Sequence, residues 1–196
     1  MKSKPEKKHV LNTKIHEQNH LVVIDFETCD TSPNAQVLTM GATLFNPTTI
    51  SSVDELSRNT FYAEFKEQKN RTLSINTLTW WMQQTRKAQQ TAFEGLHKIQ
   101  PAEILTNFNK WLQDKKATHL VGNGASFDNP ILSSLYRQYD IKPTLPFWCD
   151  LDLRTMKWLE GGDKPKWPAG LIAHNAAHDA IYEAMQFQHI YKTLNT

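Results

Sequence analysis

The chain begins without pattern and turns abruptly apolar at Leu21. Residues 1–20 are polar, show no apolar periodicity, and are expected to form a flexible arm outside the core. Leu21-Val22-Val23-Ile24-Asp25-Phe26 is a short run rich in β-branched residues, which predicts a strand buried on both faces and central in its sheet. Val37–Phe45 and residues 61–65 predict two further strands. Asn46-Pro47 and a polar Ser/Asp stretch separate them, so the three read as a meander.

Helical spacing then takes over. Pro101 and Glu103 precede Ile104, Leu105, Phe108, Trp111 and Leu112, and Lys115 and Lys116 close the segment. An apolar stripe with proline and acid at its start and bases at its end predicts a helix. His119–Gly122 reads as a short strand and residues 126–139 as a helix. A long final helix is expected over residues 177–194, with Ala180, Ala184, Phe187 and Tyr191 on one stripe. Leading strands followed by alternating helix and strand predict an α/β fold, a mixed sheet flanked by helices. A chain of 196 residues suffices for one such domain, taken here as residues 21–196.

Composition narrows the class. Hydrophobic residues make up 39% and charged residues 21%, and no apolar run reaches a membrane span, so a soluble, cytoplasmic protein is expected. Cys29 and Cys149 are too few for a disulfide framework and lack zinc-type spacing, which favours free thiols. The net charge of +2 is unevenly placed: residues 1–20 carry five lysines against Glu6 and Glu17, and the remainder nets −1. A body so balanced does not hold nucleic acid chiefly by neutralising phosphates, although an enzyme whose metal ions meet the phosphate is compatible with it.

The candidate chemistry begins with Asp25 and Glu27. Residues two apart on a strand leave by the same face, so these carboxylates converge while Phe26 points into the core. Adjacent carboxylates repel, and a divalent cation between them removes the conflict. Chance supplies such a triplet in roughly every second chain with 10 Asp among 196 residues and as many Glu, so position at the end of a buried strand is the stronger signal. Asp128 lies in the turn Gly122-Asn123-Gly124-Ala125-Ser126-Phe127-Asp128, where Ser126 reads as a helix N-cap and Asp128 as a first-turn acid. Asp179 opens the last helix, after His174 and His178.

Asp25-Phe26-Glu27-Thr28, Phe127-Asp128 ahead of Pro130-Ile131-Leu132, and His174 with four residues before Asp179 together resemble the DnaQ-like, DEDDh-type 3′-to-5′ exonucleases. Thr77-Leu78-Thr79-Trp80-Trp81, Phe147-Trp148 and Asp152-Leu153-Arg154-Thr155 extend the resemblance to phage exonuclease A and ribonuclease T-like members, across about residues 21–192. His178 is an additional histidine, and the lysine-rich arm lies outside the pattern. The resemblance implies a ribonuclease H-like fold and two Mg2+ ions, replaceable by Mn2+, held by Asp25, Glu27, Asp128 and Asp179. It also implies His174 as general base and release of nucleoside 5′-monophosphates from the 3′ end of DNA or RNA.

Around this constellation, Trp80 and Trp81 diverge by about 100° on a helix, so one belongs to the core and the other is free to stack on a base. Thr28, Asn123, Phe127 and Arg154 are further candidates for substrate contact, each with a plain structural alternative. Two rival classes remain open at this point: a nucleic-acid-binding module of the same fold without hydrolysis, and an unrelated metal-dependent phosphoesterase acting on small nucleotides.

Overall fold

The computed structural model describes residues 19–161 and 165–195, so most of the expected N-terminal arm lies outside the described residues. Five strands form one sheet: β1 (Leu21–Thr28), β2 (Val37–Phe45), β3 (Thr60–Glu64), β4 (His119–Gly122) and β5 (Asp150–Asp152), in the order β3-β2-β1-β4-β5. β1 pairs antiparallel with β2 and parallel with β4, β2 antiparallel with β3, and β4 parallel with β5. The apolar run at Leu21 is therefore the central strand of a mixed sheet.

Seven helices flank it among the described residues: α1 (Val53–Ser57), α2 (Ile75–Met82), α3 (Arg86–Phe93), α4 (Pro101–Asp114), α5 (Asp128–Gln138), α6 (Leu153–Glu160) and α7 (Ala176–Leu194). The faces of β1 sort cleanly by parity. Val22, Ile24 and Phe26 join Ile104, Leu105 and Phe108 of α4 and Ile131 and Leu135 of α5 in one core. Leu21 and Val23 join Leu153 of α6 and Ala180, Ile181, Ala184 and Phe187 of α7 in the other. Period-2 side-chain alternation thus gives β1 two buried faces, each covered by helices.

Two expectations need correction. The helix at residues 126–139 begins later, at Asp128, with Phe127 in the cap position and no side-chain capping bond, so Ser126 is not its cap. The polar stretch between β2 and β3 is not merely a breaker. It contains α1, whose first turn is capped by Ser52 and whose Leu56 is buried. The thiols of Cys29 and Cys149 are both free. No described helix is long and apolar enough to cross a membrane.

Candidate active site

β1 carries its acids on the face that α7 covers. Counting by two from Leu21 and Val23 reaches Asp25 and Glu27, so the strand face that begins apolar ends as a carboxylate pair. Asp25 stands opposite Gly41 on β2 and Glu27 opposite Thr39. A side chain at Gly41 would collide with the first turn of α7, since a Cβ there would lie 2.0 Å from the Ala176 carbonyl oxygen. The absence of that Cβ lets the start of α7 rest on β2 beside the acids.

Asp128 reaches the pair from the opposite direction. Its Oδ1 accepts the backbone N–H of Phe26 at 3.3 Å, and its Oδ2 accepts that of Asn123 at 2.9 Å. The middle acid is therefore fastened to the strand between Asp25 and Glu27. Asp179 arrives in the first turn of α7, whose Asn175 cap accepts the His178 N–H. Just before that cap His174 adopts φ 61°, a left-handed conformation that few non-glycine residues take. Oxygen atoms of Glu27 and Asp179 and a ring nitrogen of His174 all lie within 4.8 Å of one another.

These acids line one cleft of about 680 Å³, together with His174, Trp80, Asn123 and Arg154. Burial raises every carboxyl in it. Glu27 is pushed up to about 8, by burial and then by Asp179 and Asp128. Asp179 rises to about 7 through burial, opposed by backbone groups of Asn175 and His174. Asp128 rises to about 6, held lower by its N–H donors and by Arg154. Asp25 is raised well above the ordinary carboxylate range by burial and then by Glu27, Glu183, Asp179 and Asp128. A buried cluster of like charges requires either protons or cations. The clustered carboxylate oxygens fit a hard divalent cation, with the His174 imidazole beside them, and the buried Oδ2 of Asp179 has no hydrogen-bond partner.

The remaining candidates separate by contact. Trp81 is core: it is 3% exposed, and its Nε1 donates to the Thr28 carbonyl at 2.8 Å. Trp80 is 41% exposed and meets the His174 ring edge-on, with centroids 4.9 Å apart. Thr28 is buried, its hydroxyl donating to the Asp30 carbonyl at 2.6 Å, which is a turn-fixing bond. Phe127 borders the cleft while packing against the α4/α5 core. Arg154 donates to the Asn123 carbonyl at 2.8 Å across Gly124, where a Cβ would crowd the guanidinium. His178 does not line the cleft. Its Nδ1 accepts the Ile172 N–H at 2.9 Å, tying down the loop that carries His174.

Among the residues lining the cleft that the sequence did not single out, Glu183 is the ionisable one. Glu183 lies one turn beyond Asp179 on α7, is 5% exposed, and lines the same cleft. Its spacing of four from Asp179 was the available signal, because residues i and i+4 share a helix face.

The sequence profile of the "3′–5′ exoribonuclease Rv2179c-like domain" matches residues 19–191. The chain is 24% identical to the exodeoxyribonuclease of Enterobacteria phage T4, over 85% of this chain and 87% of that relative. Among solved structures, the nuclease domain of 3′hExo, a DEDDh family member bound to rAMP, superposes with a TM-score of 0.57. That likeness covers 89% of this chain and 92% of the other at 16% identity, and it speaks for the fold. With a profile spanning β1 to the last turn of α7 and acids brought together from three separated segments, the chain belongs to the 3′–5′ exoribonuclease Rv2179c-like family and is a 3′–5′ exonuclease.

Proposed function

We propose that this exonuclease releases nucleoside 5′-monophosphates one at a time from the 3′ end of DNA or RNA, using two Mg2+ ions held by Asp25, Glu27, Asp128 and Asp179. One observation carries the reading: acids from β1, from the turn after β4 and from α7 share a single cleft with His174. Bound there, the two cations would polarise the scissile phosphate, lower the pKa of water and stabilise the leaving 3′ oxygen. Mn2+ is expected to substitute.

His174 is the general base. Burial lowers its pKa, so the imidazole is neutral near pH 7 and a ring nitrogen is available for the proton of the attacking water. Hydrolysis breaks the bond between phosphorus and the 3′ oxygen of the penultimate nucleotide, and the phosphate leaves on the 5′ carbon of the released one. Trp80, half-exposed beside His174, is the platform for the terminal base, while Arg154 offers its guanidinium to a phosphate. Thr28, Asn123 and Phe127 shape the cleft around them.

Matched DNA and RNA oligomers, labelled at either end, test this. The 3′ label should appear first as a mononucleotide, activity should vanish in chelator, and Mg2+ should restore it. Internal fragments, early release of a 5′ label, or full activity in chelator would overturn the reading. The matched family is named for RNA and the phage relative for DNA. The ratio of the two oligomer rates measures which substrate this chain prefers.

A further inference from the structure

We infer that Glu183 is a fifth carboxylate of the cation site, fixed by Asn123 so that Oε2 strengthens divalent-ion binding in the cleft; this rests on the cation site proposed above. Glu183 is 5% exposed in the interior of α7, where an ionised side chain is costly unless it is compensated. Only half of it is compensated. Oε1 accepts from the Asn123 side-chain amide, whereas Oε2 is buried without a hydrogen-bond partner in a residue that lines the cleft. An orphaned carboxylate oxygen in such a position calls for a cation or a water held by one.

Asn123 links Glu183 to a nearby ammonium. Lys157 Nζ donates to Asn123 Oδ1 at 3.1 Å, so the amide stands between an ammonium and a carboxylate with its oxygen toward the first and its nitrogen toward the second. The Asn123 backbone N–H meanwhile holds Asp128 Oδ2 at 2.9 Å. One residue therefore orients both Asp128 and Glu183. A group of this kind, ligating the ion or accepting from its water shell, typically changes metal affinity by about 10- to 100-fold when neutralised.

The test is Mn2+ alone, titrated calorimetrically into the full chain without nucleic acid. Glu183→Gln keeps a carbonyl oxygen for the Asn123 amide and removes only the charge, so Mn2+ affinity should fall by about 10- to 100-fold. The metal-free variant should melt at or above the wild-type temperature, since a neutral amide replaces one of the crowded buried carboxyl groups. Affinity within about twofold of wild type in Glu183→Gln would overturn the inference. If Glu183→Gln bound normally and Glu183→Ala did not, Glu183 would be an anchor for Asn123 and no part of the cation site. A wild-type chain that takes up no Mn2+ would instead defeat the parent cation site, an outcome distinguishable from either.

Discussion

Gly41 and Ala176 lie so close that a Cβ on the glycine would fall 2.0 Å from the Ala176 carbonyl oxygen. Gly41 faces Asp25 across the β1–β2 ladder, and Ala176 begins the helix that carries Asp179. The separation of the acids is thus set by a missing side chain. Gly41→Ala should push the start of α7 outward, cost about 1–3 kcal/mol, and lower kcat by about 100-fold, because ångström-scale misplacement of reacting groups has that effect. Thermal unfolding beside initial rates checks it; a variant with wild-type rate would show that α7 does not set the acid geometry.

The acids should differ in how they respond to removal. Asp25→Asn and Asp128→Ala are both expected to abolish turnover, but only the second should destabilise the metal-free protein. Asp25 is raised by burial and four other carboxylates, so neutralising it relieves repulsion. Asp128 accepts the N–H groups of Phe26 and Asn123, and its loss leaves one buried and one part-buried donor unpaired, at about 1–3 kcal/mol for the buried one before any relief of repulsion. Denaturant midpoints in chelator separate the two cases. Substantial activity in Asp128→Ala with Mg2+ present would break the four-ligand assignment.

The pH dependence of stability follows from the same burial. Glu27, Asp179 and Asp128 sit at about 8, 7 and 6 in the folded chain, against ordinary values of 4.5, 3.8 and 3.8. Folded pKa values above the unfolded ones mean the native state holds more protons across that window, so stability declines as pH rises through it. Metal-free protein should therefore melt at a higher temperature near pH 5 than near pH 8, and added Mg2+ should raise the melting temperature most at the alkaline end. The same melting temperature at both ends in chelator would contradict the burial of these acids.

His174→Ala should lose about 10²- to 10⁴-fold in rate with metal affinity largely intact. The rising limb of the wild-type pH–rate profile should have its midpoint below the ordinary 6.5, since burial favours the neutral imidazole, and it should disappear in the variant. His178→Ala should stay within about tenfold and keep the limb. It loses only the acceptor for the Ile172 N–H, loosening the loop two residues before His174. A crippled His178→Ala beside a near-normal His174→Ala would reverse the roles.

The paired tryptophans predict opposite defects. Trp81→Ala opens a cavity in the core and strands the Thr28 carbonyl, which should cost about 3–5 kcal/mol of stability. Trp80→Ala should leave the melting temperature nearly unchanged and raise KM, consistent with about 1–3 kcal/mol of lost base stacking. Melting curves and KM values for both variants decide it. A stable Trp81→Ala would return that residue to the candidate platform.

Much of this molecule is written locally. The run from Leu21 to Phe26 determines a central strand, because only two covered faces tolerate continuous β-branched residues, and parity alone puts Asp25 and Glu27 on one side of it. The stripe of α4 is equally plain, since its apolar positions recur with the helical turn. Short or polar elements are not: β5 has three residues with Leu151 exposed, and α3 buries only Ala88 and Ala92, too little for any period to register. The order of the acids and histidines along the chain announced the family, but their partners belong to the tertiary structure. Asp128 meets Phe26 across 102 residues, and His178 is given to the loop rather than to the cleft by its bond to Ile172. Trp80 and Trp81 are identical in sequence terms and are told apart only by what α3 and the loop before α7 bring against them. Glu183 reads as one more polar residue on a long helix until α7 lies on β1, where burial without a second partner makes its carboxylate part of the cleft. Periodicity records which face of an element is covered; it carries no information about which distant segment does the covering, and the chemistry of the cleft depends on that segment.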